Sequence, residues 1–335
     1  MKLIISSAFA AALAVIGVHA QDAPKVEVLH FHHMHLNSTD PAAAAAYYPK
    51  PFALSAAATK FNGFDAVKTG NVYILFTKIA TTPQNELTGP QTSVWHFGWN
   101  TPNSRQYDEN FRKMGLTIAQ MWDAADGKLV DLSSDVLPNP SGGPGFPTQE
   151  QVLEAREKGL KPSLQGGFGY LRGPDGAMIE NAQAGTTERF NHVHMYHEHP
   201  ECAMQWYVEH LGARRPAGRG GAAAAAPSGD CHTKTYAPPT WPSFAKTGFV
   251  RDPAGGVTFD DISISIRPWP GGGLVSTRGK IYDHWALSTA DLDATVARLK
   301  RGNVKFLEEI HPWGTSRAAM IEGPDRIAIE IVEIK

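Results

Sequence analysis

Two stretches of the 335-residue chain, HMHLNSTDPAAAAAYY (His33–Tyr48) and HVHMYHEHPECAMQWY (His192–Tyr207), share one pattern. Each begins with a His-x-His pair, continues as a short strand and ends in two aromatic residues at the same offset. A unit that occurs twice indicates an internal repeat, which has to be interpreted before any single histidine.

Two further repeats lie between and after these stretches. VWHFGWNTPNSRQYDENFRKMG (Val94–Gly115) matches YDHWALSTADLDATVARLKRGN (Tyr282–Asn303): each has a histidine in an apolar strand, a turn and an amphipathic helix. GPDGAMIENAQ (Gly173–Gln183) matches GPDRIAIEIVE (Gly323–Glu333), a turn that opens a strand carrying a glutamate. The three repeats occur in the same order twice, so each half of the chain is predicted to contain two β-α-β-β-β modules.

The last quarter of the chain shows the local signals most clearly. In IYDHWALS, apolar residues flank the histidine on both faces, which indicates a buried strand. The next segment places Leu292, Val296 and Leu299 at spacings of four and three, with Gly302 just beyond. This spacing predicts an amphipathic helix that ends before the glycine.

With these pieces the sequence resembles the vicinal oxygen chelate superfamily, which includes glyoxalase I, extradiol dioxygenases and bleomycin-resistance proteins. The resemblance implies an α+β fold in which four βαβββ modules pair into two domains. We expect the first domain at 21–186 and the second at 187–335, the latter with an inserted Pro/Gly/Ala-rich loop at 214–242. In that family, two modules form a cup of strands, and any metal ligands come from the first strand of each module and the last strand of the pair.

The resemblance implies two sets of metal ligands, one per domain. They are His33, His96 and Glu180 in the first domain, and His192, His284 and Glu330 in the second. Two imidazoles and one carboxylate leave adjacent metal positions open, and suit Fe²⁺, Mn²⁺ or Zn²⁺. If the modules instead swap between subunits, the ligand sets would be drawn from different halves. A buried strand histidine is also often only a hydrogen-bonded core residue.

The histidine-rich tract at His30–His35 separates into two faces, because residues two apart on a strand point the same way. The offset to Tyr48 selects His33 as the ligand, so His35 lies on the same face one step along. His35, and His194 in the second copy, are candidate acid/base groups. His30 and His32 are interpreted as polar strand positions, with a metal-scavenging tract as the alternative.

Departures from known subtypes restrict the chemistry. Glyoxalase I resemblance would imply a Glu or Gln ligand in a central strand, but VYILFTK (Val72–Lys78) and ISISIRP (Ile262–Pro268) have none. Tyr170 stands ten residues before Glu180, as a tyrosine does in extradiol dioxygenases, and is a candidate catalytic residue. Pocket lining is its alternative role, and Met320 holds the equivalent place in the second half.

The N-terminus and composition address location and partners. Met1–Ala20 resembles a cleaved signal peptide, too short in its apolar run for a membrane anchor, which predicts a periplasmic or extracellular protein. A formal charge of -2 gives no reason to expect nucleic acid or an anionic membrane as partner. Cys202 and Cys231 could form one disulfide or remain free thiols.

Two functional hypotheses remain. The first is an exported metal-dependent enzyme that acts on a small substrate with vicinal oxygens, by dioxygenase, lyase or isomerase chemistry. The second is a metal-free protein that binds or sequesters a small molecule, as bleomycin-resistance proteins do. A homodimer is compatible with both.

Overall fold

A computed structural model describes residues 27–85, 88–122, 129–131, 157–159, 167–216, 230–232, 255–269 and 273–334. The predicted signal peptide at 1–20 and most of the insertion at 214–242 lie outside these residues. No helix in the described ranges is long and apolar enough to cross a membrane.

Each of the four modules begins with a strand and a helix and continues with further strands. The first module contains β1 (His30–Ser38), α1 (Pro41–Tyr47), β2 (Ala56–Phe61), β3 (Phe64–Thr69) and β4 (Val72–Lys78). The second contains β5 (Val94–Thr101), α2 (Ser104–Lys113), β6 (Gln120–Trp122), β7 (Leu129–Asp131), β8 (Phe168–Arg172) and β9 (Met178–Gln183). The third contains β10 (Arg189–His197), α3 (Pro200–Leu211), β11 (Gly255–Phe259) and β12 (Ile262–Pro268). The fourth contains β13 (Tyr282–Thr289), α4 (Leu292–Arg301), β14 (Lys305–Trp313), β15 (Ser316–Glu322) and β16 (Ala328–Glu333).

The modules pair across the two halves of the chain. One sheet has the order β14-β15-β16-β13-β1-β4-β3-β2 and joins the fourth module to the first. The other has the order β11-β12-β10-β5-β9-β8 and joins the third module to the second. The segments 21–186 and 187–335 therefore each contribute to both sheets, and neither forms a sheet of its own.

The same registers recur where the modules meet. β1 and β13 run antiparallel with His35 opposite His284, and β10 and β5 run antiparallel with His194 opposite His96. The glutamate strands add in parallel on the outer side of β13 and β5. Because neighbouring strands lie about 5 Å apart, these registers bring histidines and a glutamate together on each sheet.

The helices follow their sequence signals. The side chain of Asp291 accepts a hydrogen bond from the backbone N–H of Ala294 and caps α4. Leu292, Val296 and Leu299 are buried on one face, and the helix ends at Arg301, as the spacing predicts. Burial of such side chains stabilises the fold by about 1.5–3 kcal/mol each.

Aromatic side chains connect the two sheets through one continuous core. Phe31 on β1 packs against Phe190 on β10, with ring centroids 6.2 Å apart, and stacks on Trp285. Tyr48, the aromatic residue of the first repeat, is fully buried against Phe97 of the other sheet. Those aromatic positions are therefore part of the core between sheets.

The pairing of cysteines, which the sequence leaves open, is present in the structure. Cys202 on α3 forms a disulfide with Cys231. The bond attaches residues 230–232 to that helix.

Two candidate metal centres

Two clusters of histidine and glutamate lie on the two sheets, and we call them centre I and centre II. Centre I consists of His33, His35, His284 and Glu330. Centre II consists of His96, Glu180, His192 and His194. All eight residues are among the predicted ligands or acid/base groups, and all but His194 are buried.

Centre II gathers four donor side chains around one carboxylate oxygen. Oε2 of Glu180 lies 2.7 Å from Nε2 of His96, 3.3 Å from Nε2 of His192 and 3.7 Å from Nδ1 of His194. One ligand atom from each of the four residues lies within 4.8 Å of the others, a spacing that a single metal ion can bridge.

Centre I gathers the corresponding residues of the other sheet. Oε2 of Glu330 lies 3.4 Å from Nε2 of His33 and 3.7 Å from Nε2 of His284. A ring nitrogen of His35 lies within 4.8 Å of those of both histidines. The two centres are thus related by the repeat.

The expected grouping of ligands by half is corrected by these distances. Centre I combines His33 from the first half with His284 and Glu330 from the second, and centre II combines His96 and Glu180 with His192. The cause is the cross-half strand pairing, since β1 pairs with β13 and β10 with β5. Pairing within each half is therefore wrong, and the ligands come from different halves through module pairing within one chain, without a swap between subunits.

The donor atoms fit a metal ion. Nε2 of His33, Nε2 of His284 and Oε2 of Glu330 are buried and have no hydrogen-bond partner in the described part of the chain. The same holds for Nε2 of His192 and Nδ1 of His194. Because buried polar atoms are normally satisfied, converging orphan nitrogens and a carboxylate oxygen indicate a place for a cation.

Comparisons with known proteins agree with this architecture. Residues 189–331 match the family model of the Glyoxalase/Bleomycin resistance protein/Dioxygenase superfamily. Glyoxalase I from Zea mays superposes with a TM-score of 0.54 at 13% identity, covering 91% of this chain and 92% of that chain. The chain has the vicinal oxygen chelate fold. The resemblance stated from the sequence is confirmed.

A second solved structure supports the same conclusion about this vicinal oxygen chelate fold. A candidate dioxygenase from Bacillus subtilis subsp. subtilis str. 168 gives a TM-score of 0.51 at 12% identity, covering 92% of this chain and 86% of that chain. No curated protein sequence matches the chain. At these identities the likeness shows the fold, and the chemistry has to come from the residues of the two centres.

The residue just before three of the histidines fixes the orientation of the ring. Nδ1 of His284 donates to Oδ1 of Asp283 at 2.7 Å, and Nδ1 of His192 donates to Oδ1 of Asn191 at 2.7 Å. Nδ1 of His33 lies 2.7 Å from Nδ1 of its own neighbour, His32. In each case Nδ1 is engaged by the preceding residue, and Nε2 is the ring nitrogen that lies near the glutamate.

Sequence reasoning missed these orienting residues. His32 was interpreted as a polar strand position without a counterpart, whereas it contacts His33 and Asn191 occupies its place in the other copy. His30, by contrast, is exposed and bonds Asp260, away from both centres. The signal that could have found them is a polar residue immediately before His33, His192 and His284.

Asp283 is held in place by three other groups. Its carboxylate accepts hydrogen bonds from the guanidinium of Arg278, the backbone N–H of Gly279 and the side-chain amide of Asn37. Burial would raise the pKa of Asp283, but His284 and these donors hold it well below its usual range. Burial would lower the pKa of His284, but Asp283 and Glu330 raise it to about 9.

The other groups of the centres show opposed shifts. Burial lowers the pKa of His33, and that of His35 and His194 falls well below the ordinary value for the same reason. Burial would raise the pKa of Glu180 and of Glu330, but the neighbouring imidazoles lower both. Neutral imidazoles beside ionised carboxylates are the protonation states that a metal site requires.

A cavity of about 540 Å³ opens onto centre I. The residues of centre I that line it are His35, His284 and Glu330. Its apolar lining includes Phe64, Trp313 and Met320. The polar wall comes from Asn37, Thr77, Arg278, Asp283 and Glu308. A cavity of this size can accept a small organic molecule.

The predicted catalytic Tyr170 lies beside centre II. Its ring packs edge-on against His96, with centroids 4.9 Å apart, and stacks at 6.1 Å on Trp95. Tyr170 pairs with Glu180 in register, and Met320 pairs with Glu330 in the same way. The tyrosine is 2% exposed, so its contacts are those of a packed residue as well as of a neighbour of the centre.

Proposed function

We propose that this chain is a metal-dependent enzyme that acts at centre I on a small molecule with two adjacent oxygen atoms. The observation that carries the proposal is the cavity of about 540 Å³ that His35, His284 and Glu330 help to line. Orphan donor atoms that converge beneath a substrate-sized cavity are the features expected of a catalytic metal site with open positions.

The residues of centre I have two separate roles, metal binding and proton transfer. His33, His284 and Glu330 would hold a divalent metal, which polarises the oxygens of a chelated substrate. Nε2 of His35 is fixed by Oγ1 of Thr77 at 2.7 Å, and its Nδ1 has no hydrogen-bond partner in the described ranges. Because His35 lines the cavity, its imidazole would accept a proton from bound substrate and return it at another atom.

The cavity walls restrict the substrate. Phe64 and Trp313 provide apolar lining, and Asn37 and Thr77 provide hydrogen-bonding groups. A diol, a hydroxy-carbonyl compound or a catechol-like phenol combines apolar carbon surface with hydrogen-bonding oxygen atoms. Proton transfer by His35 supports isomerase or lyase chemistry, and oxygenative cleavage requires iron in the centre.

Export is part of the proposal. Met1–Ala20 has the charged start, apolar run and small residue before the cut that secretion signals have. The disulfide between Cys202 and Cys231 supports an oxidising compartment such as the periplasm or the extracellular space.

The test is metal content and turnover of full-length protein purified without chelators. We expect bound Fe²⁺, Mn²⁺ or Zn²⁺ in the wild type, with conversion of one member of a panel of diols, hydroxy-ketones and catechols assayed with and without dioxygen. His284→Ala should abolish conversion. His30→Ala is the matched control, because His30 is on the same strand as His33 but bonds Asp260 away from the centre.

Two results would contradict the proposal. A wild-type protein that takes up no metal after reconstitution and still binds members of the panel would favour a metal-free sequestering protein. Full turnover in His284→Ala would place the chemistry away from centre I. Loss of conversion in the absence of dioxygen would select dioxygenase chemistry within the proposal.

A further inference from the structure

His35 and His194 hold the same place in the repeat but have different surroundings. Each is the second histidine of a His-x-His strand, opposite the histidine of the partner strand. Their rings lie equally close to that partner, since the centroids are 4.5 Å apart for His35 with His284 and for His96 with His194. The difference lies in what each ring nitrogen meets.

In centre II the second histidine faces the carboxylate. Nδ1 of His194 lies 3.7 Å from the same oxygen of Glu180 that meets His96 and His192, and it has no hydrogen-bond partner in the described part of the chain. One carboxylate oxygen thus lies within 4.0 Å of nitrogen atoms from three imidazoles. Four donor atoms within 4.8 Å of one another are sufficient to enclose a metal ion.

In centre I the second histidine lies near the other two imidazoles but makes no such contact with the carboxylate among the described residues. Glu330 lies within 4.0 Å of nitrogens of His33 and His284, but among these described residues it makes no such contact with His35. Nε2 of His35 is instead bonded to Oγ1 of Thr77, on the cavity wall. The carboxylate oxygen of centre I therefore collects two imidazoles.

The neighbouring strand carries different groups beside the two histidines. Thr77 pairs with Asn37, two residues after His35, and Arg267 pairs with Tyr196, two residues after His194. A threonine hydroxyl can accept a hydrogen bond from an imidazole N–H, whereas a guanidinium has only donors. Arg267, which occupies the place of Thr77, therefore cannot accept a hydrogen bond from the ring of His194.

We propose that centre II is a four-ligand metal site in which His194 is the fourth ligand beside His96, His192 and Glu180. Centre I is a three-ligand site in which His35 stays off the metal. The inference rests on the proposed function in assigning catalysis to centre I. A metal site whose positions are all filled by protein ligands retains its ion, whereas a site with an open position exchanges it. Centre II therefore has a structural role, linking strands of both halves, and centre I is the reactive site.

Metal release from the full-length, Zn²⁺-loaded protein to a chromophoric chelator tests the difference. We expect two phases, the fast one absent in His284→Ala and the slow one absent in His96→Ala. His194→Gln should accelerate the slow phase by about tenfold or more, the scale on which ligand-shell changes alter metal affinity. The matched variant His35→Gln should leave both phases unchanged while it lowers turnover.

Copper binding gives a readout independent of release and of activity. In pulsed EPR of the Cu²⁺-loaded protein, His284→Ala reports centre II alone and should show three coordinated imidazoles. His96→Ala reports centre I alone and should show two. His194→Gln combined with His284→Ala should reduce the count at centre II from three to two.

Specific outcomes would overturn the inference. Equal imidazole counts at the two centres, or a slow phase that His194→Gln leaves unchanged, would show that the second histidines act alike. A wild type that binds no metal at either centre would defeat this inference and the proposed function together. Normal ligand counts without any turnover would defeat the proposed function and leave the four-ligand site in place.

Discussion

At the scale of single residues, Asp283 connects the metal centre to the cavity wall. Its carboxylate accepts the Nδ1 proton of His284 and is itself held by Arg278, Gly279 and Asn37. A histidine that donates to a carboxylate keeps its other nitrogen fixed and makes it a stronger ligand. The equivalent position before His96 is Trp95, which carries no carboxylate.

The prediction for this residue is a selective loss of metal affinity. Asp283→Asn keeps the size of the side chain but removes its charge, and we expect about a tenfold weaker binding at centre I. Competition with a chromophoric chelator measures it. Centre II serves as the control within the same molecule and should keep its affinity; an equal loss at both centres would contradict the assigned role.

At the residue scale, the sequence selects the residues that the repeat marks twice, and their role as metal ligands stays a prediction. His33 and His192, His96 and His284, and Glu180 and Glu330 were selected as matched pairs, and the structure places each pair at equivalent positions. Asp283, Asn191 and Thr77 were not found, because each contributes through one contact in space and its repeat partner is a different residue type. Repetition is the signal, and these residues lack it.

At the scale of elements, the turn before each glutamate-bearing strand is hydrogen-bonded to the opposite sheet. Asp175 accepts hydrogen bonds from the hydroxyl of Ser38 at 2.6 Å and from the backbone N–H and hydroxyl of Thr39. Asp325 accepts from Nδ1 of His197 at 2.6 Å and from the backbone N–H of Glu198. Both turns therefore link the end of a first strand in one sheet to the last strand of the other.

The stability of this link can be measured. Asp175→Asn tolerates the positive φ of 55° at this position but replaces one acceptor oxygen with an amide. We expect a loss of about 1–3 kcal/mol in the free energy of unfolding in urea, because the hydroxyls of Ser38 and Thr39 lose a charged acceptor. Asp65→Asn, in the exposed pair with Lys60, is the control and should change stability by less than about 0.5 kcal/mol.

The disulfide at α3 leads to a second element-scale prediction. Cys202 and Cys231 are separated by 29 residues, and closing a loop of that length stabilises the native state by about 3–4 kcal/mol in the chain-entropy model. Replacing both cysteines with serine should lower the urea midpoint by a corresponding amount. The wild type under reducing conditions should match the variant, and an unchanged midpoint in both would contradict a structural role for the bond.

At the scale of the whole molecule, the sequence predicted the four modules but not their partners. All four carry the same pattern of strand, helix and turn, so the local signals fit pairing within halves and across halves equally well. Which modules pair is determined by packing between strands that are far apart in sequence. One such contact is that of Phe31 on β1 with Trp285 on β13. That contact joins residues far apart in sequence, and no periodicity marks it.

The cross-half pairing has a direct consequence for metal binding. His33 and His284 belong to one centre, whereas His33 and His96 belong to different centres, although the latter two lie in the same half of the chain. Removal of two ligands from one centre should leave the other intact. Removal of one ligand from each should impair both.

The measurement that tests this account most directly is metal stoichiometry of two double variants after gel filtration. We predict that His33→Ala with His284→Ala loses the metal of centre I and keeps that of centre II. His33→Ala with His96→Ala should lose the metal of both. If His33→Ala with His96→Ala keeps one metal ion while His33→Ala with His284→Ala keeps none, the ligands are grouped by half and the cross-half centres are contradicted.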